Sequence, residues 1–109
     1  LHQLNCSFNM LTSVNLNGLS NLENVDLLAN QLQNLSLFGL TNLATLICSD
    51  NQLTSLSISG SPNISTLEVN NNLLTEYDFS SFTNLYRLTC AGNLFTTLTL
   101  TNLTNLYEL

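Results

Sequence analysis

The chain has 109 residues, enough for one domain, and 44% of them are hydrophobic, which is sufficient for a core. Only 7% are charged, and seven acidic residues against a single basic one give a formal net charge of −6. Because nucleic acids and anionic membrane surfaces are bound through Lys and Arg, this composition argues against both as partners. No run of about 18 apolar residues suggests a membrane span.

Internal repetition dominates the sequence. Three independent sets of residues recur every 21 positions without insertion or deletion. They are Asn9, Asn30, Asn51, Asn72 and Asn93; Asn21, Asn42, Asn63, Asn84 and Asn105; and Gly18, Gly39 and Gly60, continued by Ser81 and Asn102. We therefore predict one repeat domain over residues 1–109, with five 21-residue repeats, the start of a sixth, and no evident caps.

Two short strands are predicted in each repeat. In the first half, Val25 and Leu27 alternate with polar Asn24 and Asp26, which is the period of a strand with one face inward. In the second half, Ser or Thr alternates with aliphatic residues in the same way, over 55–59 and again over 97–101. The fourth repeat places Tyr77, Phe79 and Phe82 where Leu or Ile usually stands. No segment has helical spacing, so we expect little helix.

The segment L-x-x-L-x-L-x-x-N-x-L, with conservative replacements, occurs at 1–11, 22–32, 43–53, 64–74 and 85–95. This pattern resembles the leucine-rich-repeat family, and the resemblance covers the whole chain. The 21-residue length, with Cys alternating in one Leu position, is similar to the short internalin-like repeats of bacterial surface proteins, although one residue shorter. The resemblance implies a right-handed, β-rich solenoid with a parallel sheet on its concave face and short strands or extended segments on its convex face.

Two of the repeated positions have structural interpretations. The first Asn set falls where the chain leaves a strand, and its side chains can satisfy main-chain groups exposed by the turn. Calcium binding is the functional alternative, but it requires several carboxylates, and only Asp50 directly precedes one of these Asn residues. The Gly set indicates a turn with positive φ, which Asn102 fits and Ser81 fits less well.

Cys6, Cys48 and Cys90 lie two repeats apart at one equivalent position. Strands stacked at about 4.8 Å place them roughly 10 Å apart, too far for a disulfide or a shared zinc ion. We predict buried, free and inaccessible thiols.

Catalysis has little support in the sequence. His2 is the only histidine, and there is no phosphate-binding loop or metal-ligand motif. We predict a protein that is not an enzyme, with no catalytic, cofactor or metal residues.

The outward residues of the first strand in each repeat vary, so partner specificity is expected there. Tyr86 and Tyr107 are one repeat apart and should stack, and Arg87 and Glu108 should pair. The candidate binding face comprises Asp26, Leu28, Ile47, Glu68, Tyr86, Arg87, Tyr107 and Glu108. An internal ladder without a ligand is the alternative interpretation of the Tyr and Arg columns.

These features favour a binding module of a secreted or cell-surface bacterial protein, with a protein or a carbohydrate as partner and an extracellular location. The alternative is a structural subunit of a larger surface complex or fibre, assembled end to end through its uncapped ends.

Overall fold

A computed structural model describes all 109 residues as a parallel β-solenoid of about five turns without any helix. Each turn, or coil, contains 21 residues. The whole solenoid measures 31 × 27 × 19 Å. The expected solenoid with strands on two faces and little helix is therefore confirmed. No helix is long and apolar enough to cross a lipid bilayer.

Five of the nine strands form one parallel sheet. These strands are β1 (Gln3–Asn5), β2 (Asn24–Asp26), β4 (Thr45–Ile47), β6 (Thr66–Glu68) and β8 (Arg87–Thr89), adjacent in that order. Every pairing joins residues 21 positions apart, as in Val25 with Leu46, and Arg87 is bridged to Glu108 in the next coil. We call the outward side chains of this sheet the front face. The opposite side, the back face, carries β3 (Asn34–Ser36) paired with β5 (Ser55–Ser57), and β7 (Glu76–Asp78) paired with β9 (Thr97–Thr99).

The core lies between the front and back strands. Val25 and Leu27 are buried, whereas Asn24 and Asp26 are only partly covered. On the back, Leu56 and Ile58 are buried beside exposed Ser55. The predicted alternation therefore holds on both sides, and burial of the aliphatic columns supplies the main force that stacks the coils.

The back strands do not form one continuous sheet, because β5 and β7 are not paired. At this junction Tyr77 takes a position that is aliphatic in other coils, and its ring packs 4.6 Å from Phe79. Burial raises the pKa of Tyr77 above its ordinary value. The break therefore coincides with the one aromatic residue in this column of the back face.

The Gly set behaves as predicted at three of its five positions. Gly18 and Gly39 have φ values of 84° and 73°, and Asn102 has a φ of 64°. Gly60 and Ser81 do not have positive φ, so the prediction is wrong there. Gly60 serves a different purpose, because an added Cβ would lie 3.0 Å from the Leu37 carbonyl oxygen of the preceding coil. Close approach between coils therefore favours glycine at that position.

In every coil, the residue directly before the Asn of the first set also adopts a left-handed backbone conformation. The residues at this position are Phe8, Ala29, Asp50, Asn71 and Gly92, with φ between 54° and 66°. Such values are uncommon for residues other than Gly, Asn and Asp. The turn geometry required at the end of each front strand therefore overrides the local preference of Phe8 and Ala29.

The first and last coils are less covered than the central ones. Leu4 and Cys6 in the first coil, and Leu103 and Leu106 in the last, pack against the core but remain partly exposed. Leu1 and Leu109 are exposed.

Candidate binding face

The repeated Asn residues hold neighbouring coils together. The Asn51 Oδ1 accepts a hydrogen bond from the Leu32 N–H at 3.0 Å, and its Nδ2 donates to the Leu27 carbonyl at 3.0 Å. Asn30, Asn72 and Asn93 make the equivalent two contacts from their own coils. The side-chain oxygens thus point at main-chain N–H groups, which supports the structural interpretation over the calcium alternative. No three His, Cys, Asp or Glu side chains form a cluster that could hold a metal ion.

The strands give the front face two parallel columns of outward side chains, and Tyr86 and Tyr107 border these columns, directly before Arg87 of β8 and its bridge partner Glu108. One column contains Gln3, Asn24, Thr45, Thr66 and Arg87, and the other contains Asn5, Asp26, Ile47, Glu68 and Thr89. Successive members belong to neighbouring strands, which are about 4.8 Å apart. Because the main chain repeats while these side chains change, the face presents different chemistry at each coil.

The candidate residues near the C-terminal end form one ordered group, which we call the Tyr-Arg patch: Glu68, Tyr86, Arg87, Tyr107 and Glu108. The rings of Tyr86 and Tyr107 stack with centroids 5.3 Å apart and planes 9° from parallel, and both rings are exposed. The predicted stack is confirmed. An aromatic pair of this kind contributes about 0.5–1.5 kcal/mol beyond its buried area.

Arg87 is held between two carboxylates. Its Nη1 donates to the Glu68 Oε1 at 2.8 Å, and its Nε lies 2.9 Å from the Glu108 Oε2. The Nε is buried but not aligned for a hydrogen bond, so the contact with Glu108 is an ion pair only. The pairing with Glu108 was predicted, whereas the pairing with Glu68 was not. Glu68 is the diagonal neighbour on the adjacent strand, a relation that strand pairing could have revealed.

Asp26 and Leu28 lie two coils before Glu68, the nearest member of the Tyr-Arg patch, and Ile47 stands between them as the strand partner of both Asp26 and Glu68. Asp26 and Ile47 line a cup of about 140 Å³ in the front face, together with Gln3, Leu4, Asn5, Asn24, Val25 and Thr45. We call it the Asp26 cup. Leu28 lies beside the cup, and its N–H donates to the Asp26 Oδ1 at 3.0 Å. The candidate residues therefore share one face, with the Asp26 cup and the Tyr-Arg patch joined through the neighbouring side chains of Ile47 and Glu68.

The residues at the C-terminal ends of the front strands are hydrogen-bonded to those of neighbouring coils. Ser49 stands 21 residues after the candidate residue Leu28, and the same alternation predicts that it faces outward. It is instead buried, and its Oγ accepts a hydrogen bond from the Asn70 N–H at 3.0 Å. The Asn70 side chain in turn donates to the Thr89 Oγ1 at 3.1 Å and accepts from the Ala91 N–H at 2.8 Å. The strand parity fails here because the chain is already turning towards the left-handed position that follows.

The back face contains a larger cup that the sequence did not indicate, of about 300 Å³, lined by Glu76, Tyr77, Asp78, Thr97 and Thr99. The Ser80 hydroxyl and N–H both donate to the Asp78 Oδ1, at 2.5 and 2.9 Å. These hydrogen bonds hold the pKa of Asp78 below its ordinary value, so its carboxylate is charged at neutral pH.

The three cysteines differ in accessibility. Cys48 is buried as predicted, whereas Cys6 and Cys90 are partly exposed, because the first and last coils are covered less completely. Burial, assisted by the nearby Glu68 carboxylate, raises the pKa of the Cys48 thiol to about 12. Burial also raises the pKa of Cys90.

We therefore expect a thiol reagent at pH 8 to label Cys6 and Cys90 in the native chain while Cys48 stays unmodified until denaturant is added, because the thiolate is the reactive form. Mass spectrometry of the labelled chain identifies the sites. The raised pKa of Cys48 also means that its contribution to stability is present below pH 9 and is lost as the pH rises towards 12. Rapid labelling of Cys48 in the native chain would contradict the register of the central coils.

The chain matches no protein-family model, and no curated protein is similar to it. The class of protein defined by the fold is a parallel β-solenoid with an invariant interior and a variable front face.

Proposed function

We propose that the chain is a leucine-rich-repeat module that binds a protein partner through its front face and carries out no catalysis. The observation that carries this proposal is the Tyr-Arg patch, in which two exposed, stacked tyrosines stand beside an arginine fixed by two carboxylates. Tyr and Arg are enriched among the few residues that dominate binding energy at protein interfaces.

The ordering of the patch supports this role. Each Tyr ring is restrained by the other, and Arg87 is restrained by Glu68 and Glu108. A partner that docks on restrained side chains loses less conformational entropy than one that must immobilise them. As contributions to folding alone, the surface ion pairs are worth at most about 1 kcal/mol.

A location outside the cell, on a bacterial surface or secreted, is part of the same proposal. It rests on the resemblance to short bacterial surface repeats and on the scarcity of basic residues. A carbohydrate partner is the second candidate for the same patch, because the exposed tyrosine rings can also contact a sugar.

The test compares the wild-type chain with the Tyr86→Ala, Tyr107→Ala double variant as immobilised bait for surface and secreted proteins of the source organism. Phe38→Ala is the matched control, because Phe38 is exposed to 53% against 50% for Tyr86 but follows strand β3 of the back face. Since truncating an interface hot spot costs about 2 kcal/mol or more, we expect the double variant to bind the partner roughly thirtyfold more weakly, or weaker still. Phe38→Ala should retain it.

Thermal melting of the same variants separates binding from stability, because loss of the stack should lower stability by only about 1 kcal/mol. Capture of the same protein at wild-type strength by the double variant would overturn the proposal. A parallel array of neutral polysaccharides tests the carbohydrate candidate: binding there that depends on Tyr86 and Tyr107 would replace the protein partner with a glycan.

A further inference from the structure

The chain is strongly acidic, with seven acidic residues and a single basic one, Arg87. That arginine is already paired with Glu68 and Glu108. The Asp26 carboxylate has no cationic partner in the chain, and its only hydrogen bond is the one its Oδ1 accepts from the Leu28 N–H. This hydrogen bond fixes the carboxylate and leaves Oδ2 without a donor.

The Asp26 cup combines this carboxylate with both apolar and amide groups. Ile47 provides the outward apolar side chain of its lining, and Asn5 and Asn24 bring amides to its walls. Its volume of about 140 Å³ lies below the ~300–1,000 Å³ of pockets that enclose small molecules. The cup is therefore matched to one side chain rather than to a cofactor.

We propose that the Asp26 cup receives a lysine or arginine side chain of an extended partner polypeptide; the inference rests on the proposed function and names the chemistry of its partner. The aliphatic stem lies against Ile47, as long basic side chains do on apolar surface. The cationic end donates to the free oxygen of Asp26, which makes a charge-assisted hydrogen bond. The negative net charge of the module attracts such a partner from a distance.

The spacing along the front face allows one partner segment to reach both the Asp26 cup and the Tyr-Arg patch. Strand β2, which carries Asp26, is three strand steps from β8, which carries Arg87. At about 4.8 Å per step the separation is roughly 14 Å, which an extended segment of four or five residues spans. A basic residue in the cup would then lie about four residues away from the part of the partner that contacts the tyrosines.

The experiment is a titration of the isotope-labelled chain, followed by ¹H–¹⁵N NMR at low salt. The probe is the capped peptide Ser-Thr-Lys-Thr-Ser, and its norleucine analogue keeps the stem but lacks the ammonium group. We expect the lysine peptide to shift the amide signals of Asn24, Asp26 and Ile47, and the norleucine peptide to bind far more weakly. Rising salt should weaken binding, because the interaction is between exposed charges.

Two charge-matched variants locate the site. Asp26→Asn and Glu76→Gln each remove one negative charge, but Glu76 lies in the back-face cup. We expect Asp26→Asn to weaken the lysine peptide about tenfold, as the loss of a hydrogen bond to a charged group does. Glu76→Gln should leave its affinity within about twofold, because distant surface charges are screened.

Several outcomes overturn the inference: equal weakening by both variants, shifts centred on Glu76 and Asp78, or equal binding of the norleucine peptide. Binding of butylamine as strongly as the peptide would also overturn it, because the cup would then be a site for free amines. If the peptide fails while the Tyr86→Ala, Tyr107→Ala variant still loses its partner, only this inference fails. If the peptide binds the cup while that double variant keeps its partner, the assignment of the Tyr-Arg patch fails instead.

Discussion

Replacing Leu35 with Asp is expected to unfold the solenoid or to lower its melting temperature by more than about 20 °C. Leu35 is 2% exposed in strand β3 and belongs to the continuous core. The substitution removes buried apolar area worth about 2 kcal/mol and buries an unpaired carboxylate that costs several kcal/mol more. Against a typical net stability of about 5–15 kcal/mol, this loss is a large share. No cation can compensate, because the only arginine, Arg87, lies on the front face.

The matched control is Asn34→Asp, which introduces the same carboxylate one residue earlier. Asn34 is exposed on the back face, and its neighbour in the paired strand is the neutral Ser55. Surface changes of this kind usually stay within about 0.5 kcal/mol. Circular dichroism during heating should therefore show a near wild-type transition for Asn34→Asp and none, or a much earlier one, for Leu35→Asp. Similar melting curves for the two variants would show that the inward and outward assignments on the back face are wrong.

The register of the solenoid could be predicted because the period is unbroken. When every coil has 21 residues, equivalent positions stack, as Val25 does on Leu46. The two-residue alternation then places aliphatic residues inside and leaves the rest outside. The front sheet follows from these two periodicities, and the neighbourhood of Tyr86 and Tyr107 follows from the 21-residue period.

Features that depend on the exact course of the turns could not be predicted in this way. The left-handed position occupied by Phe8 and Ala29 has no signature, since neither residue favours positive φ. The break between β5 and β7 falls at Tyr77, which a repeat pattern treats as one more apolar residue. Departures from the repeat at the level of single side chains are therefore the part of the fold that requires coordinates.

The candidate binding face shows the same division. Parity placed Asp26 and Ile47 outward, but only the structure shows that they share a cup, which adjoins the Tyr-Arg patch through Ile47 and Glu68. Parity also placed Ser49 outward, where the start of the turn buries it. The identity of a partner is not contained in the periodicity, because periodicity constrains the invariant positions and partner recognition uses the variable ones.

Replacing Asn51 with Ala is expected to destabilise the chain by about 2–4 kcal/mol, because the change leaves the buried Leu32 N–H without an acceptor. The carbonyl groups that the Asn51 side chain also contacts keep other donors. The Leu27 carbonyl still accepts from Asn30, and the Cys48 carbonyl from Asn72. The expected loss in the free energy of unfolding therefore has two parts: the cost of one buried N–H without an acceptor, and about 1 kcal/mol for each broken hydrogen bond. The other Asn residues of the first set keep their hydrogen bonds.

Asn9→Ala is the matched control within the first Asn set. Asn9 is exposed, donates only to the Cys6 and Ser7 carbonyls of its own coil, and accepts no hydrogen bond through its Oδ1. Its replacement should cost less than about 1 kcal/mol, since no buried main-chain group loses its partner. Denaturant unfolding at equilibrium measures both variants. If Asn9→Ala and Asn51→Ala destabilise the chain equally, the turn within each coil is what the Asn stabilises; a clear excess for Asn51→Ala shows that its hydrogen bond to the preceding coil joins one repeat to the next.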